Sequence, residues 1–287
     1  MAIQKIMFLI FKKGIKLLFG HRLSRFYPIK FVYFSLLSHL RDPNSPVNVF
    51  DHKMFLDSID SLGLSIWGVY EPFETELIKK EIKKGDVVLD LGANIGYYTL
   101  IFAKIVGKNG KIFAFEPDQT NFSLLKKNVE INRYKNILLI RKAVIDRMGT
   151  AKLYLSDYNK GSHSIFNLES RKKFIQVETI RLDDYFKNYN GKIDFIKMDI
   201  EGAEGLAIIG MQELLKRNKN LKILTEFNQD LLKNSDIRPE DYLKMLVGQR
   251  FKLYQINEKE KKIEFVSVKE LLEKCSKGQY TNLLCKR

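Results

Sequence analysis

At 287 residues, with 45% hydrophobic and 12% aromatic side chains, the chain can bury a full core and fits one large domain with an appendage, which excludes a disordered protein. Its 49 lysines and arginines against 34 acids leave a formal charge of +15. Cys275 and Cys285 match no metal-ligand or redox spacing, and His21, His39, His52 and His163 are scattered too widely for a zinc motif, so neither a disulfide framework nor a sequence-level zinc site is expected.

The excess charge is concentrated at the start. Lys5, Lys12, Lys13, Lys16, Arg22, Arg25 and Lys30 precede the first acid, Asp42, and large apolar residues lie between them. The apolar run Ile6 to Phe11 stops at Lys12 and Lys13, far short of the roughly 20 residues of a membrane-spanning helix. No small-residue cleavage site of a secretory signal follows it. Residues 1–46 therefore read as a basic, apolar helical arm. It suits either an anionic membrane surface or packing on the rest of the chain or a second subunit. Nucleic acid ranks lower as a partner, because no recognised binding module is evident. The expected location is the cytoplasm, or the inner membrane surface if the arm is peripheral.

The turn-rich stretch 41–46 closes the arm. Residues 47–84 read as a lead-in, with short strands at 47–50 and 53–56 and a helix over Thr75 to Lys84 capped by Gly85. Residues 85–287 read as the main domain. It opens on Val87, Val88 and Leu89, a β-favouring run suited to a parallel strand covered on both faces. Asp90 ends the strand, and Gly92 and Gly96 let the chain turn tightly and approach a ligand closely on the way into a helix that ends near Gly107. A dinucleotide fingerprint would need glycines where Asn94 and Tyr97 stand. The pattern Asp90, Gly92, Asn94, Gly96 instead resembles motif I of Rossmann-like S-adenosylmethionine-dependent methyltransferases.

A second strand, Lys111 to Phe115, is closed by Glu116, placed to accept hydrogen bonds from both ribose hydroxyls of an adenosyl group. Further strands are expected near 137–140, 193–198 and 221–227, with helices beginning near Asp118, Ala203 and Pro239 and additional strands toward the C-terminus, one of them antiparallel.

Several blocks in order resemble the FkbM-type methyltransferases from about Tyr70 onward: Tyr70-Glu71-Pro72, the segment 85–98, Ala114-Phe115-Glu116-Pro117, Lys142-Ala143-Val144, Gly161-Ser162-His163-Ser164, the segment 179–184, the segment 193–204, and a closing Asn282-Leu283-Leu284. The resemblance implies a Rossmann-like class I fold, a mostly parallel seven-stranded sheet with helices on both faces. It also implies S-adenosyl-L-methionine as cofactor and O-methylation of a sugar or natural-product hydroxyl. The arm lies outside it.

Methyl transfer from a sulfonium is an in-line displacement that needs aligned reactants and, for an alcohol, a nearby base. Asp199, with Glu201 and Glu204, stands where the 193–198 strand ends, beside the first strand in the expected order. These acids can serve as base, as acceptor contact or as oxygen ligands of a cation, or they can merely stabilise a helix N-terminus. His163 is a second candidate base or acceptor contact. Tyr70 and Glu71 either close over the methionine end of the cofactor or begin a helix. Ala143 joins Asp90, Gly92, Asn94, Gly96 and Glu116 as a cofactor-binding candidate, while Asp146 reads as a turn former. The acceptor expected is a glycan or small molecule. The alternatives are ribose 2′-O-methylation of RNA and a non-catalytic binding scaffold.

Overall fold

The computed structural model describes residues 7–8, 10–14, 42, 44–156, 160–168, 171–276 and 278–287. The chain divides into two compact units, Met1–Tyr70 and Glu71–Arg287.

Residues 7–8 and 10–14 of the first unit are helical, and most of the basic arm lies outside the described residues. Strands β1 (Val47–Val49) and β2 (His52–Met54) form an antiparallel pair. A single-turn helix, α1 (Leu64–Trp67), follows. The Asp60 carboxylate holds its start, accepting from the Leu64 and Ser65 N–H groups at 2.9 and 3.0 Å. No helix among the described residues is long and apolar enough to cross a membrane.

The second unit begins with α2 (Pro72–Glu81). This helix starts and stops three residues earlier than the sequence pattern predicts. Pro72 occupies its first turn, where the missing N–H is no loss. At its other end the buried Ile82 takes an extended conformation, so Gly85 lies beyond the helix and does not cap it.

The remaining elements are β3 (Val87–Leu91), α3 (Tyr97–Val106), β4 (Lys111–Phe115), α4 (Gln119–Ile131), β5 (Ile137–Ile140), β6 (Ala143–Val144), β7 (Gly149–Tyr154), β8 (Phe174–Ile180), α5 (Leu182–Tyr185), β9 (Phe195–Met198), α6 (Glu204–Ile209), α7 (Gln212–Arg217), β10 (Lys222–Asn228), α8 (Gln229–Leu232), α9 (Pro239–Gly248), β11 (Lys252–Asn257), β12 (Lys262–Phe265), α10 (Val268–Lys274) and β13 (Tyr280–Lys286).

The main sheet has the order β12-β11-β13-β10-β9-β3-β4-β5. Strands β5, β4, β3, β9 and β10 run parallel, and β13 is antiparallel to both β10 and β11. The seven strands anticipated for a class I methyltransferase fold are all present. An eighth, β12, is added at the edge because the chain folds back from β11 through a tight turn. Successive side chains of β3 point to opposite faces. Leu89 and Leu91 join Ala207, Ile208, Met211 and Leu214 of α6 and α7 in one core, while Asp90 faces Thr99 of α3. Helices thus cover both faces.

A separate three-stranded sheet, β6-β8-β7, is built from an antiparallel β7–β8 hairpin beside β6. The Gly161-Ser-His-Ser loop lies inside this hairpin, not after it, and Ser164 pairs back with Tyr154.

The junction of β3 and β9 places the two candidate regions side by side. The Asp199 N–H donates to the Leu91 carbonyl at 3.1 Å, and a Cβ on Gly92 would lie 1.9 Å from the Asp199 carbonyl oxygen. Gly92 also has φ 82. At Gly96, φ 94, a Cβ would meet Leu125 of α4 at 2.7 Å. The room that glycine leaves at both positions is therefore taken up by the protein's own atoms. Gly92→Ala is expected to lower stability by about 2–4 kcal/mol, combining backbone strain with forced separation of two strands. Gly85→Ala, at φ 86 with open space around the Cβ position, should cost only about 1 kcal/mol. Urea unfolding midpoints compare the two, and equal losses would remove the role assigned to the close approach.

Candidate active site

Glu116, just past β4, is buried, and each of its oxygens accepts one backbone N–H: Asp118 on Oε1 and Asn94 on Oε2, both at 2.9 Å. Asn94 can offer its N–H because it adopts the left-handed conformation, φ 50, which asparagine tolerates. Burial pushes the Glu116 carboxyl up to about 8 against the pull of these bonds. The Asn121 side chain also reaches this carboxyl, and the acceptor capacity left beside these three donors faces the turn.

Asp90 is also buried. Its Oδ2 accepts from Thr99 Oγ1 at 2.5 Å, while Oδ1 has no hydrogen-bond partner among the described residues. Burial raises this carboxyl to about 6, opposed by Lys197 and Thr99. A buried unsatisfied carboxylate oxygen is costly, and in this cleft it suits a donor on a ligand.

Ala143, in β6, packs with Leu153 and Val177, so its side chain serves the small sheet and only its main chain remains for a ligand. Tyr70 is the half-buried last residue of the first unit. Glu71 begins the second unit, with its side chain turned toward Tyr98: the Tyr98 hydroxyl lies 2.9 Å from both Glu71 Oε2 and Glu74 Oε1. Asp146 bonds Arg147 at 3.4 Å through Oδ2, and its buried Oδ1 has no partner among the described residues.

The other side of the site is acidic. Asp199 follows β9 with its side chain 40% exposed, ion-paired at 3.1 Å with Lys197 Nζ. Lys197 is itself buried in β9, with its ammonium 4.7 Å from the centre of the Tyr98 ring. Burial works against its charge, but Asp199, Asp90, Glu74 and Glu71 more than offset this and hold the lysine protonated above its ordinary range.

Glu201 has φ 53 and a largely buried carboxyl. Burial, reinforced by Asp199 and Glu204, pushes it up to about 8. Glu204 is different. Its Oε1 accepts the Ile200 N–H at 3.0 Å at the start of α6, so its role is to stabilise that helix end. Glu226 of β10 is raised by burial and then by Asp199, Glu204, Glu201 and Glu71. Tyr280, 62% exposed on β13, feels Glu226, Glu71, Asp199 and Glu201.

The Gly161-Ser-His-Ser loop connects the two sides. Lys160 O accepts from Asn121 of α4 at 2.9 Å, near the Glu116 turn, and Ser164 Oγ donates to the Glu201 carbonyl at 2.7 Å. His163 Nδ1 accepts the Ser156 N–H at 3.0 Å. That bond fixes the neutral tautomer with its proton on Nε2, so the ring offers a donor at its other nitrogen.

Sequence reasoning named Asp90, Glu116, Asp199 and Glu201 as candidates, and it passed over Lys197, Glu74, Glu226 and Asn282, which the structure brings into the same hydrogen-bonded and charged cluster as some of them. A signal existed for two of them: Lys197, between Ile196 and Met198, and Glu226, between Thr225 and Phe227, are charged residues inside largely apolar strands, where burial demands a partner.

A family model for the methyltransferase FkbM domain matches residues 90–253, more than half of the chain. The chain belongs to the FkbM methyltransferase family. Among relatives, it is 27% identical over 187 residues to the 2-O-methyltransferase NoeI of Sinorhizobium fredii, covering 58% of this chain and 74% of that one. It is 30% identical over 129 residues to the "Probable cobalt-precorrin-6B C(15)-methyltransferase (decarboxylating)" of Saccharolobus solfataricus, covering 43% of this chain and 55% of that one. The match to the methyltransferase sdnD of Sordaria araneosa, at 26% identity, spans 44% of this chain and 60% of that one. The chain thus spans just over half the length of two of these relatives. Among solved structures, Aeropyrum pernix fibrillarin with natively bound S-adenosyl-L-methionine aligns with a TM-score of 0.43 and 12% identity over 75% of this chain and 74% of that one.

The cofactor that comes with FkbM membership is S-adenosyl-L-methionine, and the residues present fit it. The acceptor capacity remaining on Glu116 suits ribose hydroxyls, and the unpartnered Asp90 oxygen suits a charged donor group.

His163 carries a testable consequence. Burial, with Lys160 and Arg171 on the same side of the balance and Asp118 against it, lowers its pKa below the ordinary 6.5. Nitrogen-15 NMR of the imidazole is expected to find the Nε2–H tautomer at neutral pH and a midpoint below pH 6.5. A midpoint above that value, or a protonated Nδ1, would contradict the bond to Ser156.

Proposed function

We propose that the chain transfers the methyl group of S-adenosyl-L-methionine to a hydroxyl oxygen of a sugar or glycan. The observation that carries this reading is the sign of the acceptor side. Glu71, Asp199, Glu201 and Glu226 lie within electrostatic reach of one another, and Lys197 is the only buried lysine or arginine among the described residues. Carboxyl groups exchange hydrogen bonds with neutral hydroxyls, accepting in either form and donating when protonated, whereas they offer a phosphate no cation to pair with. A polyhydroxylated neutral acceptor suits such a cleft, whereas an RNA backbone does not, despite the chain's formal charge of +15. The exposed ring of Tyr280 at the margin adds a flat apolar surface with a polar tip. The similarity to NoeI, a 2-O-methyltransferase, agrees with oxygen as the receiving atom.

Bound S-adenosyl-L-methionine supplies an electrophilic methyl. Glu116 would hold its ribose hydroxyls with the acceptor capacity that Asn94, Asp118 and Asn121 leave, and Asp90 Oδ1 would accept from a donor on the same ligand. Asp199, held by Lys197, orients the acceptor hydroxyl. Glu201, in its ionised form, takes the proton that this hydroxyl loses: its carboxyl is raised to about 8, so that form gains as the pH rises toward this value, and a positioned base contributes about 10²–10⁴-fold. His163 Nε2–H donates to a second acceptor oxygen and helps fix the sugar.

Glu116→Ala is expected to weaken S-adenosyl-L-methionine binding by roughly 10–100-fold, the loss of two charge-assisted bonds partly replaced by water. Calorimetric titration measures it, and unchanged affinity would remove the ribose assignment. For the acceptor, labelled methyl from the cofactor is expected to enter an oligosaccharide or glycolipid fraction and to leave total RNA unlabelled. Label in RNA alone would overturn the reading.

A further inference from the structure

The start of α2 departs from ordinary helix chemistry in two ways. Glu71 occupies the N-cap position at φ 42, a strained conformation for any residue but glycine, and its carboxylate makes no capping bond. The cap comes from far along the chain. Glu258, in the turn between β11 and β12, accepts from Phe73 N at 2.7 Å and from Glu74 N at 3.0 Å. Glu71 turns inward instead, to the Tyr98 hydroxyl.

That hydroxyl sits 2.9 Å from Glu71 Oε2 and 2.9 Å from Glu74 Oε1. A phenol carries one hydrogen. It can donate to one carboxylate, so the second contact is a hydrogen bond only when the other carboxyl holds a proton and donates to the phenol oxygen. Asn282 Nδ2 closes the arrangement, donating to Glu74 Oε2 at 2.5 Å and to Glu71 Oε1 at 3.3 Å. The geometry is complete with one proton for two carboxyls.

The pair is faced by charged and titratable groups from every packed element. These are Tyr98 on α3, Lys197 and Asp199 on and after β9, Glu226 on β10, Tyr280 on β13 and, across Lys197, Asp90 on β3. Lys197 is the lone cation in that set. Glu74 and Tyr98 are buried while Glu71 is partly exposed, so the pair reaches solvent through Glu71. Tyr98 belongs to the first turn of α3, which begins at the glycine turn assigned to the methyl donor.

We infer that Glu71 and Glu74 hold one shared proton through Tyr98 in the free protein and release it to solvent when a sulfonium donor binds, becoming its counter-charge. The inference rests on S-adenosyl-L-methionine being that donor. The only bond broken is a carboxyl O–H, and the proton passes to bulk water. An added positive charge beside the pair stabilises its doubly ionised form. Burial places the ionisation of Glu74 near pH 8 in the free state, so affinity for the sulfonium rises with pH, by up to about tenfold per unit, and levels off above that value. S-adenosylhomocysteine carries a neutral thioether, so after transfer the pair regains a proton and the product is held less tightly.

The test is calorimetric titration of the full chain at pH 7 in phosphate and in Tris, whose different ionisation enthalpies count protons. S-adenosyl-L-methionine is expected to release about 0.5–1 proton more than S-adenosylhomocysteine. Any release common to both ligands, such as one from Glu116 on contact with ribose, cancels in this difference. In Glu74→Gln, and independently in Tyr98→Phe, the difference is expected to vanish. Equal proton counts for the two ligands in the unaltered chain, or a difference that survives in either variant, overturns the inference while leaving the donor assignment intact. Failure of S-adenosyl-L-methionine to bind at all overturns both.

Discussion

A single buried ammonium holds the acidic centre together. Lys197 projects from β9 between Asp199, Asp90 and the Glu71–Glu74 pair, with the Tyr98 ring against it. A buried charge left without its partner costs about 3–5 kcal/mol, so each of these carboxyls is tolerable only because the lysine is there, and the lysine only because they are. The imbalance, several acids for one base, is what gives the site its chemistry. Carboxyls that cannot all ionise retain protons at neutral pH, and Glu74 and Glu201 are both raised to about 8. Such groups are available to exchange protons with a ligand or an acceptor.

The sheet order turns this chemistry into a site. Because β9 is hydrogen-bonded directly to β3, the chain end carrying Asp199 lies against the glycine turn carrying Asn94. Because β4 is the next strand on the other side, Glu116 faces the same turn and accepts the Asn94 N–H. The donor side and the acceptor side are thus separated by one strand spacing. The small β6-β8-β7 sheet then extends a polar loop from α4 to Glu201. Residues far apart in the sequence meet beside the site, since Asn282 of the last strand donates to Glu71.

Global and local charge have opposite signs in this protein. The formal +15 arises largely from residues on exposed surfaces and in the N-terminal arm, whereas the cleft is dominated by carboxyls. Net charge describes how the molecule approaches large anionic surfaces. It says little about what a desolvated pocket accepts, because there the short-range count of donors and acceptors decides.

The order of blocks along the chain determined the family and the parallel α/β architecture, and the acids at strand ends singled out Asp90, Glu116 and Asp199 as candidates. These depend on local rules, namely β-branched runs, glycine turns and acids at strand ends, that leave direct traces in sequence. The eighth strand, the earlier start of α2 and the placement of the His163 loop within a hairpin depended on how distant segments closed on one another. So did the partnerships of the acids. Nothing adjacent to Glu71 in the chain indicates that Glu258 would take over its helix cap, or that Asn282 would meet it from the last strand. Glu204 reads in sequence like its neighbour Glu201, yet one is spent on a helix end and the other faces the cleft. Which proton each carboxyl keeps was decided only in three dimensions, since desolvation and Coulomb interaction depend on distance through space and not on separation along the chain.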